Sequence, residues 1–191
     1  MDNLNLYYIN TDYINYLQRK EREVRGFTKV SNNIDSNYQN LKPYVGTVLE
    51  INKYKYFVPL THPKQHYDIN SRFFNRISHP IELKNGRKYG RLMFCYMIPL
   101  KNESVLKLIN INEIKDQSYK NILMSQYFYI KATDKKEIIT NSALSLYNKV
   151  KGNPNHFLYS KCCDFELLES VCDNYEVAVE DEFIKIDTTF Y

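Results

Sequence analysis

Between Tyr38 and Lys64 the chain runs YQNLKPYVGTVLEINKYKYFVPLTHPK, and this stretch limits the fold more than any other. Tyr44 to Ile51 is rich in β-branched and aromatic residues, as is Tyr54 to Leu60, and Asn52-Lys53 separates them. That pattern predicts two strands and a tight turn. The turn lacks the Asn-Gly signature, so it does not fix the register. Pro59 has no N–H to give a ladder, which puts it at an edge, a bulge or the strand's end. Polar groups gather at the open ends: Tyr38, Asn40 and Lys42 on one side, Thr61, His62 and Lys64 on the other. A hairpin closes those ends together, so its apolar middle builds core while its rim carries hydroxyl, imidazole and amine groups.

The flanking chain sorts into strands first and helices second. Residues 3–9 read as a strand. Thr11 is placed to cap a helix whose apolar stripe is Tyr13, Ile14, Tyr16 and Leu17, with Gly26 as its stop. Residues 27–37 are turn-rich and read as a mobile loop. Ile81 to Leu83 reads as a strand, residues 84–87 as a turn, Arg91 to Leu100 as one core strand, and residues 105–109 as a short strand. Ser118 would cap a helix with Ile122, Leu123, Tyr127 and Ile130 inward. Thr133 or Asp134 would cap the next, carrying Ile139, Ala143, Leu146 and Val150, and Asp164 would open a last one. This order predicts an α+β fold: a single domain over residues 1–191 with a compact antiparallel sheet or barrel packed by helices.

Charge is divided along the chain. Residues 1–161 hold 25 basic and 13 acidic residues, and residues 162–191 hold one and nine. A basic body points to an anionic partner such as nucleic acid. The four cysteines show no ligand spacing and are expected as buried thiols. The N-terminus lacks a basic-then-apolar leader and no apolar run is long enough to span a bilayer, so the expected location is cytoplasmic.

The rim could cleave RNA. The ribose 2′-hydroxyl attacks the adjacent phosphorus, and the protein must move protons and stabilise charge on the phosphoryl oxygens. Lysines suit the charge, imidazole suits proton transfer, and hydroxyls position oxygens. Tyr38, Lys42, Thr61, His62 and Lys64 supply that set. No Gly-rich phosphate loop, HExxH, GxSxG or cluster of acidic residues is present, so the expected chemistry needs no metal and no cofactor. Candidate RNA contacts are Asn40, Lys53, Lys55, Arg72, Arg76, Lys84, Arg87, Lys88 and Arg91, with Tyr44 or Phe73 to stack on bases. The residues alone leave open a solvated rim, a non-catalytic RNA-binding module and a protein–protein adaptor.

The same segment resembles the core of the ToxN/AbiQ family. The matching features are a Tyr four residues before a Lys, K-x-Y-V-G, a strand ending in L-E-I, Y-x-x-P-L-T, and a Lys after Pro. The opening YYINTDYINYL, the run Met97-Ile98-Pro99 and SKCCDFELLE are similar too. The resemblance implies a compact antiparallel barrel like that of the Kid and MazF toxins. It implies metal-independent, sequence-selective cleavage of single-stranded RNA to a 2′,3′-cyclic phosphate. The implied partner is a tandem-repeat pseudoknot RNA antitoxin, bound in closed protein–RNA assemblies, and the implied role is abortive phage defence. The family's Tyr, Lys, Thr and second Lys fall on Tyr38, Lys42, Thr61 and Lys64. Where the family commonly has Ser, this chain has His62.

Overall fold

The computed structural model describes residues 4–35, 40–63 and 72–176. Its centre is a curled, half-barrel antiparallel sheet of five strands. These are β1 (Asn5–Ile9), β4 (Tyr44–Ile51), β5 (Tyr54–Pro59), β8 (Ile98–Leu100) and β9 (Leu106–Leu108), in the order β8-β5-β4-β1-β9. Two short pairs flank it: β2 (Ile34–Asp35) with β3 (Asn40–Leu41), and β6 (His79–Glu82) with β7 (Lys88–Leu92). The helices are α1 (Thr11–Arg25), α2 (Phe74–Ile77), α3 (Gln117–Lys131), α4 (Thr133–Val150) and α5 (Phe165–Cys172). The α+β class expected from the sequence is what the chain adopts.

The central hairpin forms as the sequence predicts. Ile51 pairs with Tyr54 across a two-residue turn in which Asn52 takes φ +56°. Pro59 is the last residue of β5, where its missing N–H costs no ladder bond. Between Val45 and Leu49 the register shifts, because β4 carries extra residues against Phe57. Gly46 lies in that bulge. A Cβ there would sit 2.0 Å from the Phe57 ring, so only glycine lets the ring close over the strand.

Several boundaries differ from the sequence reading. Arg91 to Leu100 is not one strand. β7 ends at Leu92, a 3-10 turn spans Phe94–Tyr96, and β8 begins at Ile98. The whole run is buried apart from Tyr96, so its apolarity reported burial and could not report the turn by which it passes from β6 to β5. Asn10, not Thr11, caps α1; its side chain accepts from the Asp12 and Tyr13 N–H groups. Asp116 caps α3 in place of Ser118, and α4 starts without a side-chain cap after Ala132. Gly26 ends α1 at φ +75°, and Asp164 caps α5, both as expected.

Two buried carboxylates tie the layers together. Glu21 accepts from Arg25, from the Thr28 hydroxyl and from the backbone N–H groups of Lys29, Val30 and Asp164. It thereby pins the loop after α1, read from sequence as mobile, to the start of α5. Glu169 accepts from the Tyr56 and Tyr147 hydroxyls and pairs with Lys151, joining β5, α4 and α5. A buried charge persists only when partnered in this way. All four cysteines are free and buried. No helix among the described residues is long and apolar enough to cross a membrane.

Candidate active site

The open end of the β4–β5 hairpin is where the polar rim meets. Tyr44 pairs with Pro59, and the Leu60 N–H donates to the Pro43 carbonyl at 2.9 Å. Lys42 and Thr61 each adjoin this bond directly, Lys42 before Pro43 and Thr61 after Leu60. Lys42 is fixed from behind: its N–H donates to the carbonyl of Asn33. The Asn33 amide in turn donates to the Ile9 carbonyl and the Thr11 hydroxyl, both at 2.9 Å. The amine stem therefore rises from a backbone anchored to β1 and α1. Asn40, Lys42, Thr61 and His62 are all half-buried at this end. Tyr38 and Lys64 lie outside the described residues.

Thr61 is held on every side by groups outside the hairpin. Its N–H donates to the Arg91 carbonyl at 3.0 Å, and the Arg91 N–H donates to its hydroxyl oxygen at 3.0 Å. Its carbonyl accepts from Gln126 Nε2 at 2.9 Å, and the same nitrogen reaches the Tyr89 carbonyl at 2.7 Å. Gly90 lies flat against it: at φ +119°, a Cβ would stand 1.8 Å from the Thr61 carbonyl oxygen. The hydroxyl oxygen accepts a backbone N–H, and its own hydrogen remains available to donate, as a contact to a phosphoryl oxygen requires.

Arg91 is interior. It is 2% exposed, Nε donates to Ser78 Oγ at 2.8 Å and Nη2 to Asn75 Oδ1 at 2.6 Å. It was expected on the RNA surface; instead it braces α2 and β6 beneath Thr61. Tyr44 is likewise no stacking platform. Its side chain is fully buried, and that burial pushes its phenol pKa up. Tyr44 is the inward-facing residue at the strand's start, so its ring went to the core.

The remaining basic candidates divide into two ends. Lys53 pairs with Asp173 at 2.7 Å and Lys55 with Glu103 at 2.5 Å. They sit at and just after the hairpin's turn, roughly 20–26 Å along the strand from Thr61 at about 3.3 Å per residue. The acidic α5 end therefore covers this part of the body, with Lys101 also 3.5 Å from Asp173. Arg72 just before α2, Arg76 on it, and Lys84, Arg87 and Lys88 on the β6–β7 hairpin are exposed, and Leu92 of that hairpin bridges to Leu60 at the rim. Phe73 is 38% exposed beside them.

His79 contacts the Tyr129 hydroxyl at 2.7 Å, and burial, Lys135 and Arg91 lower its pKa to about 4. It is a neutral structural imidazole at pH 7. No group of three or more potential metal-ligating side chains converges among the described residues.

Sequence reasoning passed over Gln126 and Gly90. Both left a signal. Gln126 is a polar residue inside the apolar stripe formed by Leu123 and Ile130, and Gly90 is a lone glycine within a strand, the usual mark of close backbone approach.

The model of the family described as toxin ToxN of type III toxin–antitoxin systems matches residues 5–173. The endoribonuclease ToxN of Bacillus thuringiensis subsp. kurstaki is 34% identical over 183 residues, covering 92% of this chain and 86% of that protein. The endoribonuclease AbiQ of Lactococcus lactis subsp. lactis is 26% identical over 180 residues, covering 90% and 89%. The solved structure of AbiQ, a lactococcal anti-phage endoribonuclease of a type III system, aligns with a TM-score of 0.75 at 25% identity over 91% of this chain and 98% of that one. A second solved structure, from a type III system whose toxin is selectively inhibited by a non-coding RNA pseudoknot, aligns with a TM-score of 0.71 at 34% identity, again over 91% and 98%. The match over most of the length and the 34% identical relative establish that the chain belongs to the ToxN family of type III toxin–antitoxin toxins.

Proposed function

We propose that this protein is a metal-independent, sequence-selective endoribonuclease toxin that cuts single-stranded RNA by 2′-hydroxyl attack and leaves a 2′,3′-cyclic phosphate. The observation that supports the reading is the open end of the hairpin, where Leu60 bonds Pro43 beside Lys42 and Thr61, with the Thr61 hydroxyl oxygen accepting the Arg91 N–H. Lys42 and Lys64 stabilise charge on the phosphoryl oxygens, and the Thr61 hydroxyl donates to one of them. His62 moves a proton in the place where the family commonly has Ser, and Tyr38 orients the ribose. RNA approaches over α2 and the β6–β7 hairpin, where exposed Arg72, Arg76, Lys84, Arg87 and Lys88 meet its phosphates.

The chain works as a single domain in the cytoplasm, with a half-barrel akin to the Kid and MazF core. Its inhibitor is a tandem-repeat pseudoknot RNA, which it cuts into units and holds in a closed protein–RNA assembly. The support is its similarity to toxins solved as RNA-inhibited or anti-phage proteins. Release of the toxin during infection then gives phage defence. Expression alone should arrest growth, and co-expression of the repeat RNA encoded beside the gene should restore it. Unimpeded growth of cells carrying verified full-length protein would overturn the reading.

A further inference from the structure

Beside the rim, a groove of about 570 Å³ opens between α2, α4 and the turn at residues 153–158. That volume lies within the roughly 300–1,000 Å³ usual for small-ligand sites. Its lining includes Arg76 and Lys149, the amides of Asn75 and Asn141, the Ser145 hydroxyl and the Phe157 ring, and it contains no carboxylate. Phe157 is 56% exposed, stacked on His156 at 4.8 Å, with the Arg76 guanidinium 5.7 Å from its ring centre. Among the described residues Phe157 is one of four exposed phenylalanines, with Phe27, Phe73 and Phe128, and it lines a groove that also holds Arg76 and Lys149. Rings and guanidinium planes are the surfaces on which unpaired bases stack, and amides and hydroxyls read base edges.

The groove is joined to the rim by one side chain. Asn75 accepts from the Arg91 guanidinium, while the Arg91 backbone N–H holds the Thr61 hydroxyl oxygen. The two places are thus one arginine length apart at their nearest, a reach comparable to one or two nucleotides of extended strand. We propose that this groove is a nucleobase-reading subsite: a base of single-stranded RNA flanking the cut stacks on Phe157 and Arg76, and Lys149 meets its phosphate. The inference rests on the endoribonuclease reading and would make the groove a source of its sequence selectivity.

The test uses purified full-length protein and single-stranded RNA oligonucleotides containing the mapped cut site, with each flanking base varied in turn. Phe157→Ala and Phe157→Leu should cut the long RNA with kcat/KM reduced roughly tenfold or more, the scale of one lost base stack, and should lose preference at one flanking position. Phe157→Tyr should keep both, since it keeps the ring. All three should melt like the parent protein. Parental kcat/KM and unchanged base preference in Phe157→Ala would overturn the subsite while leaving the nuclease reading intact. If the parent protein cuts nothing, the nuclease reading fails. Anisotropy of a labelled decanucleotide then decides the groove, which stands if Phe157→Ala weakens binding and falls if it does not.

Discussion

Gln126 and Thr61 are joined by a 2.9 Å hydrogen bond from the Gln126 side chain to the Thr61 carbonyl, although 65 residues separate them. Gln126 is 1% exposed, and the same nitrogen reaches Tyr89. Helix α3 thereby sets the position of the rim. Gln126→Leu should leave both carbonyls without this donor, at a cost of about 1–3 kcal/mol in stability. It should also lower kcat on the order of 10- to 100-fold with KM for RNA little changed, since misplacing Thr61 affects the reaction more than binding. Denaturant melts and single-turnover cleavage measure the two effects separately.

Gly90 makes the same point through backbone. Alanine at φ +119° is strained, and its Cβ would overlap the Thr61 carbonyl oxygen. Gly90→Ala should destabilise the protein by more than about 2 kcal/mol and abolish toxicity. Gly86, exposed in the β6–β7 turn at φ +74°, where a Cβ would meet only the Glu82 carboxylate at 4.0 Å, is the control. Gly86→Ala should carry only the turn strain and remain toxic in a growth assay.

These two residues show what the sequence carried and what it did not. The hairpin, its turn and the end at Pro59 were legible because strand composition and a two-residue break are local signals. So was the closure at Pro43 and Leu60, since a hairpin must bring its open ends together. The partners of Thr61 were not legible, because Arg91 and Gln126 reach it through tertiary contacts that no spacing rule encodes. Arg91 and Tyr44 were misread as surface for a related reason. Charge and aromaticity do not reveal burial, and each found its place inside. Lys53 and Lys55 were grouped with the RNA face because sequence does not show that α5 and residues 103–105 bring carboxylates to them.

Lys42→Ala and Lys64→Ala should each reduce cleavage about 100-fold or more and abolish growth arrest, while circular dichroism and melting stay close to the parent protein. If both variants still arrest growth, the proposed site is wrong. His62→Ser should keep activity but change the pH–rate profile, because it puts a hydroxyl where an imidazole moves a proton. An unchanged profile would take His62 out of proton transfer.

His79 predicts an acid sensitivity. Its folded pKa, near 4, is below the unfolded value of 6.5, held down by burial, by Lys135 on α4 and by Arg91 on β7. Between those values the unfolded chain takes up a proton that the folded one refuses. Stability is therefore full above pH 6.5 and falls as pH drops toward 4, by about 2 kcal/mol at pH 5. Urea midpoints at pH 7.5 and 5 should differ by less in His79→Gln than in the parent. Equal differences would remove His79 as the cause.

The most direct measurement is to incubate purified protein with a panel of single-stranded RNAs in excess EDTA and identify the new ends. Cuts are expected at a recurrent sequence, each leaving a 2′,3′-cyclic phosphate and a 5′-hydroxyl, and they should be lost in Thr61→Ala. No cleavage in EDTA, with cleavage restored by a divalent metal, would contradict that expectation, as would 5′-phosphate ends or full activity in Thr61→Ala.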